Sequence, residues 1–260
     1  MIIIIHTSKT MRPPAVGGVS LQRPSLISKA KELDQHLKSL TVNSIASLMR
    51  ISPELAVKTQ KLIAGWTDDP SQQRPAIDSF LGDIYSGLQV QTWSQQNRQY
   101  ANKHLRMLSG LYGVLLPLDG IYPYRFEMGY KLPSVKFKNM YEFWGDSVAA
   151  TLPDKGPIIN LAAVEYSKVI TKYIDPERIV TPQFLTISAK TGKPTFVVVH
   201  AKIARGAFAH WLIVNEVDNA DQLQDFGALN YKYAPELSTP AVPTFVCKQF
   251  GGLGLSVRLS

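Results

Sequence analysis

Four consecutive isoleucines, Ile2 to Ile5, open the chain, and it turns polar at once at His6-Thr-Ser-Lys-Thr10. An unbroken β-branched run with no polar alternation predicts a central strand covered on both faces. If that strand is parallel to its neighbours, the His6–Thr10 loop leaves its carboxyl end, where open α/β sheets hold ligands. Apolar positions at Leu26, Ala30, Leu33 and Leu37 predict a helix to about Leu40 with Ser25 as N-cap. Thr41 to Trp66 reads as two short helices, the first closing at Leu48-Met49. The second is opened by Ser52-Pro53-Glu54, serine at the cap and proline next to it.

Further along, Gly82 and Gly87 bracket Asp83 and Tyr85, and Ser94 caps a helix through Asn102. The densest apolar run, Leu105 to Leu118, predicts a buried strand with a bend, its Gly110 and Gly113 admitting close backbone approach. Pro117, Asp119, Gly120 and Pro123 stop regular structure and lead to the rigid loop Tyr122-Pro-Tyr-Arg-Phe-Glu127. A helix over Met140–Leu152, a buried strand ending at Asn160, and strands over 179–188 and 195–200 joined by a Lys190–Lys193 turn follow. Ile203, Ala207, Trp211 and Val214 then recur at helical spacing from Ala201 onward.

Composition changes this picture little. With 45% hydrophobic and 18% charged residues the 260-residue chain is a folded one, of one large domain or two small ones. Its net charge of +8 favours a polyanionic partner. The single cysteine, Cys247, excludes a disulfide framework, which points to a reducing cytoplasm, and its apolar setting suits a small buried hydrophobe. The N-terminus lacks the pattern of a signal peptide, and no apolar run reaches membrane-spanning length. The five histidines have no familiar iron-ligand spacing, so neither metal nor cofactor is expected.

Several residues carry candidate chemistry. Ser8, Lys9 and Thr10 offer two hydroxyls and an ammonium to an anion, without the glycines of a phosphate loop. Arg125 and Glu127, two apart on an extended segment, form either a structural ion pair or part of a site. Asp83 is either a helix cap or a general base. Lys202 and Arg205 share a face in what the pattern makes a first helical turn, where cations oppose the macrodipole and an anion would reverse the sign. Arg50, Lys58 and Lys61 accompany the helical pair, whose turn lacks the glycines a DNA-binding hairpin normally uses.

His104-Leu-Arg-Met-Leu-Ser-Gly-Leu-Tyr-Gly-Val-Leu115 and Pro123-Tyr-Arg-Phe-Glu-Met-Gly129 resemble the core signature of the YaaA family of bacterial peroxide-stress proteins. Collinear blocks at Ser8–Thr10, Leu48–Ser52, Gly82–Gln89, Tyr141–Asp146, Ile159–Ala162 and Ala201–Gly206 extend the resemblance to about residue 230. It implies a mixed α/β fold in a single domain, with a central mixed sheet, flanking helices, a positively charged cleft and a helix-hairpin-helix-like element at 41–66. It also implies binding to duplex or distorted DNA and protection during peroxide stress, with lower unincorporated iron. The end from Pro240 to Ser260 departs from the family's usual basic finish, and residues 250–260 read as a flexible tail.

Two functions follow from these expectations. In one, the cleft grips DNA backbone through Lys9, Arg125, Lys202 and Arg205, with the Arg50–Lys61 hairpin as second grip. In the other, an enzyme acts on a nucleotide, nucleobase or other small anionic metabolite. There Ser8, Lys9, Lys202 and Arg205 hold the anion, Arg125 orients the substrate and Glu127 or Asp83 is the general acid or base.

Overall fold

The structure is a computed structural model that describes residues 1–14, 21–132 and 136–252. The isoleucine run forms the strand Ile2–His6, all four isoleucines are buried, and it lies at the centre of a five-stranded sheet. Leu105–Ser109 and Ile158–Asn160 flank it, both parallel to it, so their carboxyl ends share one edge. Gly113–Leu115 pairs antiparallel outside the former, and Ile179–Val180 parallel outside the latter. The Leu105–Leu118 run is thus two strands of a hairpin and not one bent strand. The reversal is built on Gly110, where a Cβ would come within 2.6 Å of the Glu127 carbonyl carbon, and on Gly113, at φ 71°.

A second sheet has the order Pro194–Thr195, Gln183–Ile187, Thr244–Cys247, Lys232–Tyr233 and mixes parallel with antiparallel pairs. The fold is therefore mixed α/β. The predicted strand 179–188 divides between the two sheets at Thr181-Pro182, since proline cannot donate to a continuing ladder. Its inner face carries Phe184, stacked on Phe245 at 5.5 Å and edge-on to Phe208 at 5.6 Å.

Phe208 belongs to the long helix Val198–Val214, which buries nine of its 17 residues. Its start corrects the expected strand at 195–200: strand pairing ends at Thr195, and the β-branched Val198 and Val199 form the first helical turn. Lys202 and Arg205 therefore lie beyond the first turn, past the free backbone N–H groups, and the macrodipole argument for an anion there fails.

The helical pair appears as expected, Val42–Met49 capped by Thr41 and Pro53–Gly65 capped by Ser52, with Arg50 in the left-handed region at φ 51°. Ser94 caps Gln95–His104 in a reciprocal capping box with Asn97. Ser25 does not cap the first helix, which begins at Ile27 with Leu26 at its cap position and no side-chain bond there. The helix at Met140 ends at Trp144, because Gly145 takes φ 53°, and only a short 3-10 turn follows at Ala149–Thr151. Of the expected tail, 253–260 lies outside the described residues. Phe250 is held, its ring stacked on His200 at 4.1 Å, and the Gly251 N–H donates to the Leu229 carbonyl at 3.1 Å.

The helix Asp83–Leu88 meets the long helix backbone to backbone. A Cβ on Gly87 would overlap the Ile203 carbonyl oxygen and lie 2.8 Å from the Ala207 nitrogen. One on Gly206 would overlap the Ile84 carbonyl and lie 2.8 Å from the Leu88 nitrogen. We predict that Gly87→Ala and Gly206→Ala each lower stability by on the order of 3 kcal/mol, because backbone and not a side chain must yield. Gly227→Ala, where nothing lies within 4 Å of the added methyl, stays within about 0.5 kcal/mol of wild type. Denaturant midpoints of the three variants measure this.

Candidate functional site

The carboxyl ends of the three inner parallel strands supply the walls of one cleft. After Ile2–His6 come Thr7, Ser8 and Lys9; after Ile158–Asn160 come Ala163, Glu165 and Tyr166; and the turn after Leu105–Ser109 packs its Gly110 against the backbone of Phe126 and Glu127. Asp83, on the helix Asp83–Leu88, and Val199 and Lys202, on the long helix, close a chamber of about 510 Å³. A second chamber of about 850 Å³ shares Glu127 and Glu165 with the first. Its far wall is the helix Val42–Met49 with Arg50, and Tyr130 and Lys131 line it as well.

Glu127 pairs with Lys9 at 2.7 Å and not with Arg125. Arg125 instead donates from Nη1 to the Lys9 carbonyl at 3.4 Å, while its Nε is buried without a partner among the described residues. Glu165, held by the Tyr141 hydroxyl donating to its carbonyl at 2.7 Å, lies close to the Gly129 backbone, whose Cβ would sit 3.0 Å from Oε2. Partial burial and the neighbouring Glu127 charge raise its carboxyl pKa, against the opposing pull of Lys9 and Lys202.

His6 stacks on Tyr166 at 4.9 Å and accepts the Ala163 N–H at Nδ1, 3.2 Å away. Accepting at Nδ1 puts the proton of the neutral ring on Nε2. Burial, then Arg205 and Lys202, depress its pKa to about 3, so it is uncharged in the cleft. Burial also lowers the pKa of Arg205, which acts on the site through this field and does not line either chamber.

Of the residues singled out from the sequence, Ser8, Lys9, Asp83, Glu127 and Lys202 line the smaller chamber and Arg50 the larger. Ser8 Oγ is spent partly on the Thr10 N–H at 3.2 Å. Thr10 pairs with Leu81 in a two-stranded ladder and lines neither chamber. Asp83 follows Gly82, the cap residue, so it caps nothing. Lys58 is exposed away from the cleft, and Lys61 borders a separate hollow with Leu37 and Lys38. The hairpin therefore offers the cleft its first helix and Arg50, not a row of three cations.

The sequence reading missed Glu165, His6 and Tyr130. The signal for Glu165 was present: it follows the buried strand ending at Asn160, and the carboxyl-end rule used for the first strand applies equally to its parallel neighbour.

Among the described residues no helix is long and apolar enough to cross a membrane. The sequence profile of the family described as peroxide stress protein YaaA matches residues 1–237. A UPF0246 protein of Salinispora tropica is 55% identical over 258 residues, covering 99% of this chain and 98% of its own length. UPF0246 proteins of a Marinomonas species and of Roseobacter denitrificans are each 36% identical, covering 95% of this chain and 96% and 98% of their own. The Salinispora alignment takes in the end beyond Pro240 as well. With the profile running from the first residue through the whole first sheet and all of the second but its strand Thr244–Cys247, the chain belongs to the peroxide stress protein YaaA family.

Proposed function

We propose that the chain is a peroxide-stress protein that holds nucleic acid in its two-chambered cleft through the phosphate backbone. The observation that carries this reading is the order of charges along the cleft. Arg50 and Lys131 stand in one chamber, Lys202 and Lys9 in the other, and Glu127 with Glu165 lie between them. With Lys9 paired to Glu127 and Asp83 also in the smaller chamber, the cations left for phosphate are Arg50 and Lys131 at one end and Lys202 at the other, while the carboxylates accept from sugar hydroxyls or base amino groups. Each chamber alone has the volume of a small-molecule site, so the pair suits an extended ligand. A phosphate chain with a gap between its contacts fits a bulged or locally opened strand better than a regular duplex.

A second reading, an enzyme acting on a small anionic metabolite, is favoured by the Glu127–Glu165 pair. Two carboxylates whose surroundings differ, one neutralised by Lys9 and one with raised pKa, divide naturally into an anchoring and a proton-transferring group. Under this reading Glu165 takes the acid/base role, Glu127 positions Lys9, and Asp83 is a further carboxylate in the smaller chamber.

Fluorescence anisotropy of plain and bulged duplexes across a salt series tests the first reading. Lys131→Ala and Lys202→Ala should each weaken binding and reduce the log–log salt slope by about one, with the bulged duplex bound tighter and Lys58→Ala unchanged. A salt-independent affinity, or variants that bind like wild type, would sink it.

The second reading is tested by carbon NMR titration of the Glu165 carboxyl. Removing the like charge with Glu127→Gln makes ionised Glu165 easier to form, so its pKa falls; Lys9→Met removes an opposite charge, and it rises. Because the folded-state pKa is raised, Glu165 contributes stability below the ordinary glutamate pKa, and that contribution is lost as pH rises through the raised value. A Glu165 that titrates identically in all three proteins removes the basis for a proton-transfer role.

A further inference from the structure

Across Gly82 from the cleft lies a separate cavity of about 460 Å³ that neither reading uses. Three arginines, Arg12, Arg74 and Arg98, line it together with one carboxylate, Asp78. Arg98 holds that carboxylate through both oxygens, Nη1 to Oδ2 at 2.8 Å and Nη2 to Oδ1 at 2.9 Å, so the two charges cancel and the fork is fixed. Arg12 and Arg74 have no acidic partner among the described residues, and the Nε of Arg74 is buried with no hydrogen bond at all. The lining thus carries two positive charges without an acidic partner among the described residues, and one guanidinium donor of Arg74 is left unused there. The rest of the wall includes Ile77, Phe80, Tyr85 and Val90, with the rings of Phe80 and Tyr85 5.5 Å apart.

We propose that this cavity is a second binding site, which takes a small phosphomonoester attached to a planar or apolar body. The charge decides between anions: two unmatched guanidinium groups complement the near-dianion of a phosphomonoester at neutral pH better than a singly charged carboxylate, sulfonate or phosphodiester. The apolar wall supplies the contact for the organic part. The site is held in place by elements that also shape the cleft. Arg12 directly follows the strand Thr10–Met11, which pairs with Phe80–Leu81, and Arg74 pairs with Ile121.

Titration calorimetry of the whole chain with phenyl phosphate tests the proposal. Wild type binds it saturably with an affinity in the range of roughly 10 to 500 micromolar, and benzenesulfonate and dimethyl phosphate, the monoanionic stand-in for a nucleic-acid backbone, bind at least about tenfold more weakly. Arg74→Gln weakens phenyl phosphate about tenfold or more, and Arg74→Lys also weakens it because the planar fork is lost. Arg12→Ala, at an exposed residue whose loss does not threaten the fold, weakens it severalfold and carries the test alone should Arg74→Gln fail to fold. Lys202→Ala, across Gly82 in the cleft, leaves this affinity within about twofold. The proposal is overturned if no saturable binding occurs up to about 10 mM, or if the arginine variants bind as wild type does. It is overturned equally if Lys202→Ala abolishes binding, which would put the anion in the cleft, or if dimethyl phosphate binds as well as phenyl phosphate, which would make the cavity a further grip on nucleic-acid backbone.

Discussion

Two helix backbones in direct contact set the distance on which everything else in this molecule depends. Gly87 and Gly206 each occupy space that a single methyl group would deny, and they bring the helix Asp83–Leu88 against the long helix Val198–Val214. One of these helices is tied to the central sheet, because the Tyr85 hydroxyl donates to the His6 carbonyl at 3.1 Å. The other is tied to the second sheet through Phe208 and its aromatic neighbours. The glycine contact therefore joins the two halves of the fold, and it delivers Lys202 to the loop that carries Lys9. A wider spacing would separate those lysines and leave Glu127 and Glu165 facing each other with less to offset their repulsion.

The cleft that results is mixed in charge, not simply basic. Lys9 is half neutralised by Glu127, Arg205 sits back from the walls, and His6 is kept uncharged by its burial and by the cations behind it. A site of this kind discriminates by position: each segment of a ligand meets a different sign of charge within a few ångströms. The arginine cavity on the other side of Gly82 has the opposite character, with unmatched charge of one sign above an apolar wall.

Much of this could be read from the chain before any coordinates. The Ile2–Ile5 run allowed only a central strand, Ser52-Pro53 fixed a helix start, and Gly110 was the natural place for a close approach. Failures came where two signals conflict locally. Val197 to Val199 favour a strand by side-chain type, yet Val198 and Val199 are exposed in the first turn of a helix whose buried positions begin only at Ala201, so the packing of Ala201 to Ile213 carries the helix and its first turn extends from it. The partner of Glu127 was unreadable because Lys9 is 118 residues away in sequence, and the nearer Arg125 offered a plausible local pair. The arginine cavity was invisible for the same reason, its members coming from four separate segments of chain.

The step between the two sheets has a mechanical meaning. Ile179–Val180 ends in the first sheet and Gln183–Ile187 begins in the second, with only Thr181 and Pro182 between them. Two residues span at most about 7 Å when fully extended. Thr181 is also pinned on both sides, receiving the Asn160 amide at its hydroxyl at 3.4 Å and donating its N–H to the Ala241 carbonyl at 2.8 Å. A joint this short and this well anchored limits how far one sheet can swing from the other at this crossing, so the cleft walls that the two sheets carry are tied to each other by the chain itself.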